Sequence, residues 1–394
     1  MRITAIRATP VAVPYRYDEV WAYGRRTGQV SVLVEVDTDE GLTGLAEAAA
    51  YPSADIVLAS LRTVEPLVTG ADPRRIEALI HRIDLVGTWH HVRATSPAIA
   101  AVEAACWDLL GQACGEPLVN LFGGTFHDRV PFLYYVAKER PEEVAQEGAR
   151  AAELGFSTCY LKVGSDDPDR DVARVAALRT GAGDAMCLRV DANEAWSTGA
   201  CVQLVRRLRE YRLEFVEQPV SGRNLPEMAR VRERIGVPLL ANEASWTRQD
   251  QLAVIRHGSA DALSVDHQMD GGLLNLKRSA GLCEAAGLPV VKHSLGELGV
   301  ALAASLHVLA ATPNFRYANQ AYGALLADDV TAGFGGPAEN YSAGGLAAPT
   351  GPGLGIELDR DKVERYARLY EERGAEFAFH APGVPTSAPA LPKR

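Results

Sequence analysis

At 394 residues, 47% hydrophobic and 23% charged, the chain is too long for one small domain and has the composition of an ordinary globular protein. Two domains are therefore expected. A formal net charge of −10 offers no basic surface to nucleic acid or anionic lipid, and no apolar run approaches the roughly 18 residues that cross a bilayer. Nucleic acid and membrane are set aside as partners, and a small molecule is expected.

The opening segment MRITAIRATPVAVP alternates like a strand and lacks the cationic start and apolar stretch of a secretion signal, which points to the cytoplasm. VSVLVEVDT and LTGLAEAA then flank the turn DEG as a hairpin, and helical periodicity runs from Ser53 to Leu121. Residues 1–125 thus read as an α+β capping domain. Within it, SPAIAAVEAACWDLLGQACGEPLVNLFGG has small and apolar residues on several faces. That suits a helix packed between two domains and closed by Gly115, Gly123 and Gly124. Six cysteines (Cys106, Cys114, Cys159, Cys187, Cys201 and Cys283) lie among apolar neighbours with no C-x-x-C pair. They are read as reduced core thiols.

From about residue 131 the pattern changes. Short β-rich runs recur at VPFLYYVA, STCYLKV, CLRVDAN, LEFVEQP, PLLANEA, DALSVDH, PVVKHS and FRYANQ, most of them 23–30 residues apart. The segments between them have helical periods ending at glycine. Eight such units close into a (β/α)₈ barrel, assigned to residues 126–354. The rival, a doubly wound open sheet, usually has fewer strands and often a glycine-rich phosphate turn, for which the chain has no good candidate. Residues 355–394 return to a strand and a charged helix that are expected to complete the capping domain. The proline-rich end HAPGVPTSAPALPKR is expected to be loose.

In such a barrel, side chains at the C-terminal strand ends face the active site. STCYLKV puts Thr158, Tyr160 and Lys162 on one face at period two, so a phenol and an amine point the same way. A buried ammonium is costly unless it has partners or exchanges a proton. Later strands end in Asp191 with Asn193, Glu217, Glu243, Asp266 and His293. Asp191, Glu217 and Glu243 are spaced 26 and 26 residues apart; on consecutive strands they would converge and repel. Singly, each has an ordinary explanation as a cap or strand-end salt bridge. Their shared position on successive strands favours a hard divalent cation with oxygen ligands, Mg²⁺ rather than zinc. Lys162 would flank that cation on one side and His293 with Asp266 on the other. The carboxylate should raise the imidazole's basicity, and the cation should lower the lysine's proton affinity. A substrate carboxylate on the cation would have its α-proton acidified, because the developing enediolate charge is held there.

These residues resemble the enolase superfamily, and within it the mandelate racemase subgroup, the mandelate racemase/muconate lactonizing enzyme family. That subgroup is similar in carrying K-x-K at the end of the second barrel strand (here YLK), metal acids ending strands three to five (RVDAN, VEQP and ANEA), and an Asp–His dyad, here in DHQMDGG and KHSLGELG. The likeness runs from the capping hairpin through ACWDLLGQACGEPLVNLFGG to GPGLGIELDRDKVERY. It implies an enolase-like modified barrel, Mg²⁺ on Asp191, Glu217 and Glu243, and proton transfer by Lys162 and His293 with Asp266. The first lysine of the pair is replaced by Tyr160, whose phenol could bond the substrate carboxylate or the Lys162 amine, or simply pack. A family acid at the eighth strand end is replaced within RYANQAY, with Asn319 the candidate. The family's specificity loop falls at WAYGRR. Trp21, Tyr23, Arg25 and Arg26 lie in it, where an arginine could read a distal carboxylate or hydroxyls. Trp21, Tyr23 and Arg25 are taken as substrate-binding candidates beside Asn193 and Asn319, against the alternative of a solvated surface loop. His90 and His91 would face different ways on a helix and are not taken as metal ligands. His267 is expected to project away from Asp266.

DHQMDGG and HSLGELGVALAASLHVLAATPN resemble the dehydratase branches, including glucarate-type enzymes. The resemblance therefore implies an acid-sugar dehydratase acting on a small carboxylate and giving a 2-keto-3-deoxy acid. A racemase or epimerase would use the same two bases, and cycloisomerisation is a third option. A catalytically retired barrel with a binding role is the non-enzymatic alternative; Tyr160 suggests it and the six retained ionisable groups weaken it. Family habit and the commonness of closed symmetry point to a homo-oligomer.

Overall fold

The computed structural model describes residues 1–50, 53–85 and 92–377; His90, His91 and the tail from residue 378 lie outside the described residues. The chain begins with an antiparallel meander of β1 (Ile3–Trp21), β2 (Gly24–Thr38) and β3 (Thr43–Ala49). β1 and β2 pair from Ile3↔Thr38 to Trp21↔Gly24, so Ala22 and Tyr23 alone turn the hairpin. Val32, Leu33, Val34 and Val36 of β2 are all buried, so both faces of that strand are covered. Helices α1 (Ala54–Val68), α2 (Ile76–Leu85), α3 (Val92–Cys114) and α4 (Leu118–Leu121) follow, with α3 packed on β3. α3 ends at Gly115, whose φ of +70° a side chain would resist. Cys106, Cys159, Cys201 and Cys283 are buried free thiols, whereas Cys114, at the very end of α3, is exposed and is no core residue.

The second part opens with β4 (Val130–Pro131) and β5 (Tyr134–Val136), then alternates α5 (Pro141–Glu153), β6 (Thr158–Lys162), α6 (Pro168–Ala182), β7 (Cys187–Asp191), α7 (Thr198–Leu208), β8 (Leu213–Glu217) and α8 (Leu225–Ile235). It continues with β9 (Leu239–Ala241), α9 (Arg248–His257), β10 (Ala262–Val265), α10 (Leu273–Ala285), β11 (Val290–Lys292) and α11 (Gly299–Ala310). β12 (Gly345–Leu346) pairs antiparallel with β4, and α12 (Arg360–Arg373) packs on β1. Strands β5 to β11 form one parallel sheet in sequence order. Phe215, Leu240, Ala262 and Val291 cluster on its inner side with Tyr317, and the buried Arg189 guanidinium lies over Phe215, its Nε donating to Glu214 at 2.6 Å and its Nη1 to Ala318 O at 2.7 Å. Among the described residues, no helix is long and apolar enough to cross a membrane.

Among the described residues seven regular strands, not the expected eight, belong to this sheet. The segment 315–320 closes the gap irregularly: Asn319 N donates to Pro131 O, Leu133 N to Asn319 O and Gln320 N to Lys292 O, each at 2.9 Å. The Asn319 side chain takes over part of the ladder, its Oδ1 accepting from Lys292 N at 2.7 Å and its Nδ2 donating to Tyr317 O at 3.1 Å. A side chain so occupied keeps the segment from extending as a regular strand.

Two buried acids of the first part cap helices of the second. Glu103 on α3 accepts from Leu273 N at 2.8 Å and Leu274 N at 3.1 Å, and Glu47 on β3 accepts from Leu298 N at 2.8 Å and Ala301 N at 2.9 Å. Glu103→Ala would strand those amides and is expected to lower unfolding stability by about 2 kcal/mol in a denaturant titration. Burial pushes both carboxyls up to about 7 from 4.5. Because the folded state binds these protons more tightly, their contribution is full below pH 4.5 and is lost as pH rises through about 7. The Glu47→Gln/Glu103→Gln variant should show a flatter Tm against pH over that window; an unaltered slope would refute the assignment.

Candidate active site

Strand register brings three ionisable side chains level, Lys162 pairing with Asp191 and Asp191 with Glu217 across β6, β7 and β8. Glu243 opens a short turn just past β9, and Asp266 and His293 each stand one residue beyond β10 and β11. All therefore lie at the C-terminal ends of parallel strands, where carbonyl-end loops gather side chains. Of five non-glycine residues with positive φ among the described residues, Asn193 (45°), Glu194 (65°) and Gln218 (30°) follow Asp191 and Glu217. Backbone strain is thus concentrated where the acids are aimed.

Lys162 meets the cost of burial with three partners. Its Nζ donates to Asp191 Oδ2 at 2.6 Å, Asn193 Oδ1 at 2.8 Å and Tyr160 OH at 3.1 Å. Tyr160 donates to the same Asp191 oxygen. The phenol thus bonds the amine, one of the anticipated partners, and also Asp191, which sequence reasoning missed. Burial, then Asp191, holds Tyr160 well above the usual phenol range, so it stays a neutral donor. For Lys162, burial pulls proton affinity down, but Asp191 and further acidic neighbours outweigh it and the net shift is upward. Without a cation Asp191 holds the ammonium form; the lowering expected beside a cation belongs to the loaded site, where the ion would take Asp191 from the amine.

Asn193 ties the group together. Its backbone N donates to Asp191 Oδ1 at 2.7 Å and its Nδ2 to Glu243 Oε1 at 2.9 Å. Glu217 Oε1 accepts from Asn242 Nδ2 at 2.9 Å. Burial, reinforced by the charge of Asp191, pushes Glu217 well above the usual carboxylate range and Glu243 up to about 8. Among the described residues, no three Asp, Glu, His or Cys side chains stand arranged as a ready metal cage; Asp191 is drawn onto Lys162 and Tyr160 instead. The donor set nevertheless fits a hard cation. Three buried carboxylates repel one another, all their donors are oxygen, and Glu243 Oε2 is buried without a hydrogen-bond partner.

Across the sheet, Asp266 accepts from Gln268 N at 2.8 Å and Leu295 N at 3.2 Å, one on each oxygen. His293 Nδ1 lies 3.5 Å from Oδ2 and His267 Nδ1 lies 3.1 Å from Oδ1, although neither ring nitrogen is aligned as a hydrogen bond. His267 therefore flanks Asp266 rather than projecting away, because the chain turns immediately after β10. Burial raises Asp266, but the two imidazoles outweigh it and hold the carboxyl far below its usual range. Burial pulls His293 downward against Asp266, with Lys162 and Lys292 adding to the fall. Asp266 thus acts on the imidazole in the expected direction, and burial outweighs it.

A cavity of about 120 Å³ lies between these groups and the first hairpin, and Lys162, Asn193, Glu243, His293, Trp21 and Arg26 all line it. Strands β7, β8 and β9, on or just past which the three acids lie, separate β6 with Lys162 from β10 and β11, which the dyad follows. Arg25 does not line the cavity. It is exposed and pairs with Asp18 at 2.9 Å and Glu139 at 3.0 Å. The two-residue turn sets Glu19 opposite Arg26, so alternation sends Arg26 inward and Arg25 outward. Arg26 Nε donates to Glu19 Oε2 at 2.6 Å and its Nη2 to Tyr322 OH at 2.9 Å, with Trp21 and Tyr322 rings alongside. Tyr23 is half-buried; burial, then Glu194 and Glu243, pushes its phenol up to about 12. Asn319 serves barrel closure and is not part of the cavity wall. Glu19, Asn242, Trp246, Ser294 and Tyr322, also in the wall, were missed. Counting back from a two-residue turn would have found Glu19; Tyr322 sits in irregular chain and left no signal.

Residues 3–123 match the mandelate racemase/muconate lactonizing enzyme N-terminal domain, and residues 143–362 match the enolase C-terminal domain-like family. The chain belongs to the mandelate racemase/muconate lactonizing enzyme subgroup of the enolase superfamily. N-succinyl-L-Arg/Lys racemase of Bacillus cereus is 28% identical over 371 residues, spanning 92% of this chain and 97% of the racemase. A probable glucarate dehydratase of Streptomyces coelicolor is 30% identical over 399 residues, spanning 92% and 90%. A solved enolase of Pseudomonas fluorescens with bound magnesium, potassium and tartrate is 26% identical, with a TM-score of 0.87 over 99% of both chains. Relatives thus include both isomerases and lyases, and magnesium is bound in structures of this fold.

Proposed function

We propose that the protein removes the proton α to the carboxylate of a hydroxylated acid and dehydrates that acid to a 2-keto-3-deoxy acid. The observation that carries this reading is the placement of Lys162 and His293 on one cavity, from strands on either side of those bearing Asp191, Glu217 and Glu243. Mg²⁺ bound by those three acids would stabilise the negative charge that develops on the substrate carboxylate. Lys162 Nζ or the His293 imidazole takes the α-proton, and His293 as imidazolium protonates the departing β-hydroxyl. Asp266, clamped by two backbone amides, orients His293 and balances its charge. Polar groups for hydroxyls come from Glu19, Arg26, Asn242, Ser294 and Tyr322, beside the apolar Trp21, Trp246 and Leu295.

Epimerisation is the second reading, supported by the racemase relative. There one base removes the proton and the opposed one returns it. A library of mono- and diacid sugars with Mg²⁺, scored for 2-keto acid, tests the first reading. Deuterium exchange at the α-carbon without hydroxyl loss would replace it by the second.

Tyr160→Phe removes a donor to Asp191 and is expected to weaken Mg²⁺ affinity by about tenfold, as loss of a hydrogen bond to a metal ligand does. Calorimetric titration checks this, and unchanged affinity would reduce the phenol to packing.

A further inference from the structure

The proposed proton transfers leave the buried Lys292–Glu297 ion pair without a task. Lys292, the last residue of β11, is wholly buried; its Nζ pairs with Glu297 and donates to Gln320 O at 3.3 Å. Val291 belongs to the sheet interior with Phe215, whereas Val290 belongs to the main core. Period two therefore turns His293 inward with Val291 and Lys292 outward with Val290. There it meets Glu297, two residues ahead of α11. The pair joins the two ends of the loop that supplies His293, Ser294 and Leu295 to the cavity wall. Glu297 Oε2 is buried without a hydrogen-bond partner, so Lys292 provides the carboxylate's main anchor. A buried pair is a poor device for stability, since an apolar pair of similar volume commonly does as well or better. Its directional contact does determine where the loop lies.

We propose that the Lys292–Glu297 pair is a positioning element for His293, holding the β11–α11 loop so that the imidazole stays opposite Lys162. This rests on the reading of His293 as a proton-transfer group. The test compares Lys292→Met, Glu297→Gln and Lys292→Met/Glu297→Met with His293→Asn, on the acid found by the library screen. Each single variant is expected to lower kcat at least about tenfold, with KM within about threefold of the parent. The double variant, which leaves no unpaired charge, should regain the parent Tm but not its kcat. Recovery of kcat together with Tm overturns the proposal, as does parent-level turnover in the variants. Should the single variants fail to fold, the double variant decides. Full turnover in His293→Asn would instead defeat the functional reading itself.

Discussion

Lys162→Ala and His293→Asn each reduce turnover by about 10³-fold or more while leaving Mg²⁺-dependent stabilisation largely intact. Positioned acid–base groups contribute roughly 10² to 10⁴-fold in rate, and neither substitution removes one of the carboxylates assigned to the ion. The two losses differ in character. Lys162 is bonded to Asp191 and Asn193 at 2.6 and 2.8 Å; unlike the neutral Tyr160 donor, its ammonium competes with Mg²⁺ for Asp191, so its removal should strengthen Mg²⁺ binding slightly. His293 touches none of the three acids, and His293→Asn should leave Mg²⁺ affinity unchanged. Steady-state rates with thermal shifts in Mg²⁺ decide the matter, and a variant that keeps its rate loses the role assigned to that residue.

Glu217→Gln abolishes the thermal stabilisation that Mg²⁺ confers. Saturation at 100 times Kd is worth about 2.7 kcal/mol in a protein that binds the ion only when folded, and the variant forfeits most of it. Glu217 and Glu243 are both pushed upward by burial and by Asp191, Glu243 to about 8 from 4.5. Without the ion, the raised Glu243 contributes stability below pH 4.5 and loses it as pH rises through about 8. Bound Mg²⁺ needs the charged carboxylate, so the Mg²⁺-induced rise in Tm should grow with pH across that window. A shift that is flat with pH, or that survives in Glu217→Gln, would remove these acids from the proposed site.

Spacing made much of this legible. Runs 23–30 residues apart along the chain announce alternating strands and helices, and period two alone places Tyr160 beside Lys162. The hairpin VSVLVEVDT–DEG–LTGLAEAA needed no tertiary information, because valine-rich alternation around a glycine turn is a local property. Arg25 failed for a reason equally local. One residue of register decides which of two adjacent arginines faces inward, and the turn at Ala22 and Tyr23 made it Arg26.

The sequence by itself determined which chemical groups end each strand, since those follow from period and residue type. Only the tertiary structure decided their charge states and company. Asp191 raises Lys162 against its burial, burial lowers His293 against Asp266, and a chain turn after β10 brings His267 against Asp266. Asn319 went from a presumed ligand-binding donor to a closing bolt of the sheet by the same logic. Proton affinity and hydrogen bonding depend on distances of a few ångströms between segments far apart in the chain, and no local pattern encodes them.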